Sequence, residues 1–280
     1  MGNGRVVILG GRGMLGSDLV KAGTRAGLDV RVCDLPEFDI TRSDHLRQAV
    51  QGAEVIVNCA AYTNVDGAES QTALAFQVNA EAVGRLGTLA GQSGAWVLHI
   101  STDFVFDGSL DRPYREEDTP RPLSAYGRTK LQGEQFLRAS GCPWCIVRIE
   151  WTYGRHGKNF VTKLLERAGS GGEIKVVDDQ VGSPTSTTEV AKALCSLLKR
   201  RPEGLYHLAS SGYVSRFGVA QFILERLSLS NRLVPCKTAE FQSPATRPLN
   251  SRFDCTRIAA LLDGPIEPWQ APLGRFVEQP

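Results

Sequence analysis

Short, nearly continuous apolar runs recur along the first half of the chain, separated by longer stretches with the three-to-four-residue apolar spacing of helices. The spacing predicts a strand at Arg5–Leu9, a helix from about Ser17 to Gly27 and a second strand at Val30–Cys33. A helix over Ser43–Gln51, opened by the capping-type Ser43, precedes a strand at Val55–Asn58, and a polar loop and another helix follow. Trp96–Ile100 supplies the next strand, ending at Ser101-Thr102-Asp103; Tyr126 to about Ser140 reads as a helix and Cys145–Ile149 as a strand. Strand and helix alternating in this way predict an α/β protein with a doubly wound parallel sheet. Beyond Trp151 the pattern loosens. Helices are expected near 159–168 and 187–199, with short strands near Ile174 and Tyr206. The division expected is a dinucleotide-binding domain over 1–150, joined by about 172–200, and a smaller C-terminal substrate-binding lobe made mainly of 151–280.

Composition narrows the class without adding a site. The 280 residues are 42% hydrophobic and 22% charged with a formal charge of +2, ordinary globular values. Lys and Arg are scattered, with no basic stripe to track a phosphate backbone, so no nucleic acid partner is expected. No apolar run approaches a membrane span, and Met1-Gly2-Asn3-Gly4 leads straight into a strand without a leader's longer apolar region. The expected location is the cytoplasm. Seven Cys, an odd number over a mid-sized chain, argue for reduced thiols. Cys142 and Cys145 have redox-motif spacing but run into an apolar strand, whereas thiolate activation leans on a helix N-terminus. The four His show no metal-ligand spacing, and no metal is expected.

Gly10, Gly13 and Gly16 follow a strand and open a helix, where glycines let a pyrophosphate approach the positive helix end. Asp34, at the end of the second strand, stands where a carboxylate receives ribose hydroxyls and favours NADH; Arg12 and Arg31 suit the extra phosphate of NADPH, and the choice stays open. Asn58-Cys59-Ala60-Ala61 ends its strand in small residues that a flat ring can pass. Asn79 is a polar residue in an otherwise apolar helix, assigned either to the cofactor or to structure. Tyr126 and Lys130, four apart, share a helix face, so the ammonium can lower the phenol pKa toward a useful acid or base. Thr102 ends a strand at the carboxyl edge of the sheet, where it can hydrogen-bond a substrate oxygen. There is no G-x-S-x-G elbow and no phosphate-binding G-K-[ST] loop, which sets aside hydrolase and kinase readings.

The glycine loop with Tyr126 and Lys130 resembles the extended short-chain dehydrogenase/reductases, a Rossmann-fold superfamily, and further segments resemble its dTDP-4-dehydrorhamnose reductase family. These are GGRGMLG (10–16), NCAAYTNVDGAE (58–69), STDFVFDG (101–108), YGRTKLQGE (126–134), DQVGSPT (179–185) and ATRPLNS (245–251), in family order over nearly the whole chain. The resemblance implies hydride transfer from NADPH or NADH to the C4 carbonyl of dTDP-4-dehydro-L-rhamnose, for cell-surface polysaccharide. It implies Tyr126 as proton donor, Lys130 as the cation that lowers the phenol pKa and holds the nicotinamide ribose, and Thr102 polarising the carbonyl. It adds Met14, Leu15, Asp39, Ile40 and Tyr62 to the cofactor positions, and Val65, Asp103, Phe104, Trp151, Asn159 and Arg247 to the substrate positions. Arg247 would suit a diphosphate and Trp151 a sugar or base face.

Two positions depart from the family pattern. Phe104 replaces a usual Tyr, and Glu150 stands where a small hydroxyl residue is common, so a related dTDP-4-keto-6-deoxysugar is also an expected substrate. Some family members bind magnesium at a dimer interface; a homodimer is therefore admitted, but Thr188 breaks the ligand set that Asp18 would begin. A second reading is a non-catalytic NADP-binding subunit resembling the regulatory beta subunit of methionine adenosyltransferase, which shares much of the motif set.

Overall fold

A computed structural model describes residues 5–279, so the reading of the Met1–Gly4 segment lies outside the described residues. Six parallel strands form the central sheet: β1 (Val6–Leu9), β2 (Val30–Cys33), β3 (Val55–Asn58), β4 (Trp96–Thr102), β5 (Trp144–Ile149) and β6 (Gly204–Leu208). Their spatial order is β2-β1-β3-β4-β5-β6. Alternate residues of each strand enter opposite apolar layers, as the period of two demands. Val6, Ile8, Val55, Val57 and Leu98 pack with α1 (Met14–Arg25) and α6 (Thr187–Arg200), the latter through Val190, Leu194 and Leu197. Val7, Leu9, Ile56 and Val97 face α2 (Ser43–Val50), α3 (Ala82–Ser93) and α4 (Ala125–Arg138). Helices cover both faces, which is why these strands read as unbroken apolar runs.

The doubly wound parallel sheet expected from the sequence is thus present. The order reverses between β1 and β3, the point where the following loops part and a ligand crevice opens at the carboxyl edge. One boundary differs: α1 begins at Met14 rather than near Ser17, because Gly13 caps it and the Ser17 amide donates to the Gly13 carbonyl at 2.9 Å. The end of the glycine loop, Met14–Gly16, forms the first turn of the helix.

After α6 the chain returns to the sheet as β6, parallel to β5. The strand Glu173–Val177 instead pairs in parallel with Arg232–Cys236, away from the central sheet. Around it α5 (Phe160–Gly169), α7 (Arg216–Arg226) and α8 (Gln270–Glu278) close a separate core of Leu164, Ile174, Val176, Ile223, Trp269 and Leu273. No helix among the described residues is long and apolar enough to cross a membrane.

Candidate active site

The loops after β1 and β3 abut at the sheet reversal. Gly10 takes φ 74°, open to glycine, and a Cβ there would lie 2.7 Å from the Ala60 amide nitrogen; a Cβ on Gly16 would lie 2.0 Å from the Gly10 carbonyl oxygen. Gly13 caps α1 without a side-chain hydrogen bond, which leaves the first-turn amides free to meet an anion at the positive end of a 12-residue helix. These residues fit the pyrophosphate of a dinucleotide. Leu15 and Ile40 are buried in the two apolar layers. At the far end of the crevice, Asp34 accepts the Arg12 amide at 2.7 Å and the Leu35 amide at 2.8 Å. The Arg12 guanidinium lies against Glu37 at 2.6 Å, Arg31 donates to the Gln48 carbonyl, and Asp39 is turned back onto Thr41.

Asn79 is fully buried and all its amide groups are engaged. Its Oδ1 accepts the Tyr62 amide at 2.8 Å, and its Nδ2 donates to the Tyr62 carbonyl and to Thr129 Oγ1. It ties the β3 loop to the helix that carries Tyr126.

Three features set Tyr126. Ser124 caps α4 by accepting the Gly127 amide at 3.1 Å; Glu69 Oε1 accepts the Ala125 amide at 2.7 Å; and Gly127 lets the helix approach the Phe104 carbonyl, which a Cβ would meet at 2.1 Å. The phenol ring packs edge-on against Phe104, centroids 5.5 Å apart, beside Val65. Burial pushes the phenol pKa up to about 12, partly offset by a hydrogen bond with Thr102. Tyr126 is therefore a fully protonated acid at neutral pH.

Lys130 corrects one sequence expectation. Its ammonium donates to the Ile100 carbonyl at 2.6 Å and lies 3.4 Å from His99 Nε2, both on β4, and it is not among the groups that move the Tyr126 pKa. Burial lowers Lys130 to about 8, opposed by the Glu134 carboxylate one turn on and by Cys59. The Thr102 hydroxyl donates to Asp103 Oδ1 at 3.0 Å and must turn from it to reach a substrate carbonyl. Asp103 itself is buried, with its pKa raised, and accepts from Ser251 Oγ at 2.5 Å.

Beside this centre lies a cleft of about 730 Å³ that reaches Phe104 and Ser251 at its inner end. Trp151, Asn159 and Arg247 line it as the sequence led one to expect. Trp151 takes φ 43°, a costly conformation for a non-glycine residue, which lays its indole against Gly182, where a Cβ would meet Cε2 at 2.7 Å. Asn159 caps α5 by accepting the Thr162 amide and donates to the Gly154 carbonyl at 2.9 Å. Arg247 is engaged with Asp66 at 2.9 Å, with Ser243 Oγ and with the Ala245 carbonyl. It clamps the 243–247 loop to the residues after β3. Glu150, the departure noted above, is buried behind Trp151, and burial together with Asp103 raises its pKa well above the carboxylate range. Five cations line the cleft, Lys163, Arg167, Lys175, Arg216 and Arg247, against the single acid Asp66. Arg216 has no motif around it, and sequence reasoning missed it.

The family described as RmlD substrate binding domain matches residues 4–280. The dTDP-4-dehydrorhamnose reductase of Mycobacterium tuberculosis (strain H37Rv) is 37% identical over 99% of this chain and 93% of its own. A probable dTDP-4,6-dihydroxy-2-methyloxan-3-one 4-ketoreductase of Streptomyces antibioticus is 36% identical over 96% and 93%. Among solved structures, the dTDP-4-dehydrorhamnose reductase of Bacillus anthracis in complex with NADP superposes with a TM-score of 0.94 at 33% identity, covering 98% of this chain and 99% of that one.

Proposed function

The chain belongs to the dTDP-4-dehydrorhamnose reductase family, and from that premise we propose that it reduces the C4 carbonyl of dTDP-4-dehydro-L-rhamnose, or of a closely related dTDP-4-keto-6-deoxysugar, at the Thr102–Tyr126–Lys130 centre. It is an NAD(P)H-dependent oxidoreductase of the short-chain type. The observation that carries the reading is a protonated phenol at the head of α4, beside a strand-end hydroxyl and a buried ammonium, between a dinucleotide crevice and a cation-lined cleft. The relatives are named as reductases, which supports this reading and not the regulatory one.

The bound cofactor supplies the hydride, and the protein supplies orientation and the proton. In the reading, Gly10, Gly13, Met14, Leu15 and Gly16 hold the pyrophosphate end. Asp34, Asp39 and Ile40 bound the adenosine end, and Cys59, Ala60, Ala61 and Tyr62 let the rings pass. Thr102 turns its hydroxyl from Asp103 to the carbonyl oxygen, and Tyr126 Oη delivers the proton to that oxygen as charge develops on it. Lys130, whose ammonium has three donors and gives one to the Ile100 carbonyl, holds the nicotinamide ribose. Val65, Phe104, Trp151 and Asn159 bound the sugar. We place the reaction in the cytoplasm, with neither nucleic acid nor a metal taking part and with residues 151–280 mainly the substrate lobe.

Purified protein mixed with NADPH or NADH and dTDP-4-dehydrorhamnose oxidises the cofactor, followed at 340 nm as an absorbance decrease. Folded protein inactive with both cofactors and with the related 4-keto sugars would overturn the reading.

A pH dependence follows from Lys130. With Tyr126 protonated throughout the ordinary range, the rate falls above about pH 8 as the ammonium is lost. Stability runs the other way: native Lys130 releases its proton near pH 8, whereas an unfolded lysine holds its proton to about 10.4. Between those values the unfolded state binds more protons, so this group makes stability rise with pH. Parallel pH series of kcat and of the urea midpoint separate the two.

A further inference from the structure

The cleft presents five cations, and they are not equivalent. Arg247, the residue the sequence marked for a diphosphate, spends both terminal nitrogens on Asp66, Ser243 and Ala245. Arg216 does not. Its backbone amide is fixed to the Gln180 carbonyl at 3.2 Å, and the preceding Ser215 caps α7 by accepting the Gly218 amide at 3.0 Å, so the residue is anchored at a helix start. Its guanidinium lies 3.6 Å from the Trp151 ring centroid and 4.8 Å from that of Phe160. Among the described residues it has no hydrogen bond and no ion pair.

We propose that Arg216 is the anion receptor of the cleft, taking the diphosphate of a nucleotide sugar on the N–H edge that Trp151 and Phe160 leave open. Stacking uses the faces of the guanidinium and leaves its in-plane donors unused, and a planar fork of donors matches phosphate oxygens. The buried acids Asp103 and Glu150 both act electrostatically on Arg216. Glu150 Oε2 accepts the Ser183 amide at 3.1 Å, and among the described residues its Oε1 is buried without a hydrogen-bond partner. Burial lowers Arg216 to about 10, still charged at neutral pH, with the two acids favouring the cation. A cation set among aromatic rings with its donors unspent is what a site for a multiply charged anion requires.

The proposal rests on the reading of this cleft as the nucleotide-sugar site, and the test separates the two. Full-length wild type, Arg216→Met and Arg216→Lys are titrated calorimetrically with dTDP, thymidine and NADPH. Wild type binds dTDP more tightly than thymidine. Arg216→Met weakens dTDP roughly 10- to 100-fold, the loss expected of charge-assisted hydrogen bonds, with thymidine and NADPH unchanged. Arg216→Lys keeps the charge, loses the fork and still weakens dTDP measurably, which preserves the test if the methionine variant fails to fold. Unchanged dTDP affinity in either variant overturns the proposal. So does an equal loss for dTDP and thymidine, which marks packing on Trp151, or a loss confined to NADPH, which places Arg216 with the cofactor. Wild type that binds dTDP but reduces none of the dTDP-4-keto sugars overturns the substrate reading and leaves the receptor standing.

Discussion

Tyr126→Phe lowers kcat about 10²- to 10⁴-fold and leaves NADPH affinity unchanged. The substitution removes one oxygen and keeps the ring, so the edge-on contact with Phe104 at 5.5 Å and the packing on Val65 survive. What is lost is the group placed to deliver the proton: burial keeps Tyr126 protonated, with a pKa near 12, while Lys130 donates to the Ile100 carbonyl and Thr102 to Asp103. Stopped-flow turnover and cofactor titration separate the outcomes. A variant with wild-type kcat removes Tyr126 from the role; one that loses cofactor binding as well shows that the phenol holds the nicotinamide end. Thr102→Val should fall less far, because it withdraws a hydrogen bond to the carbonyl and leaves the acid in place.

The parts of this site legible in the sequence are those whose chemistry is local. Gly10, Gly13 and Gly16 announce themselves by spacing between a strand and a helix, and the structure places each where a side chain would collide with backbone or crowd it. Tyr126 and Lys130 share a helix face by spacing alone. What the Lys130 ammonium touches was not legible, because Ile100 and His99 lie 30 and 31 residues away and meet it only through β4. The same holds for Arg216, whose importance comes from Trp151 and Phe160 on other elements. Arg247 shows the converse. Its motif was plain, while its partner Asp66, 181 residues distant, was not. The C-terminal strand Arg232–Cys236 and helix α8 were missed for a related reason: Pro235 and Pro272 interrupt the patterns, and tertiary packing on Ile174 and Trp269 overrides them.

Glu134→Ala destabilises the protein by about 3–5 kcal/mol, the cost of leaving a buried charge without its partner. Glu134 and Arg148 are each 2% exposed and form a two-pronged pair, Nε to Oε1 at 2.9 Å and Nη2 to Oε2 at 2.7 Å, with Ser101 Oγ donating to the same Oε1. Removing the carboxylate leaves Arg148 between a neutral His207, itself held down to about 3 by burial and by that arginine, and the face of Phe106. Neither replaces a carboxylate. The double variant Glu134→Leu/Arg148→Met removes both charges and should recover most of the stability, since an apolar pair of similar volume avoids the desolvation penalty. It should not recover the pH profile. Glu134 also raises the Lys130 pKa from one turn away, so without it the ammonium is lost at lower pH and the alkaline fall in kcat moves down in both variants. Urea unfolding and pH series on the three proteins distinguish the two contributions: stability restored with the profile still displaced shows that the pair serves both the core and the Lys130 ammonium, while a profile restored together with stability confines it to the core.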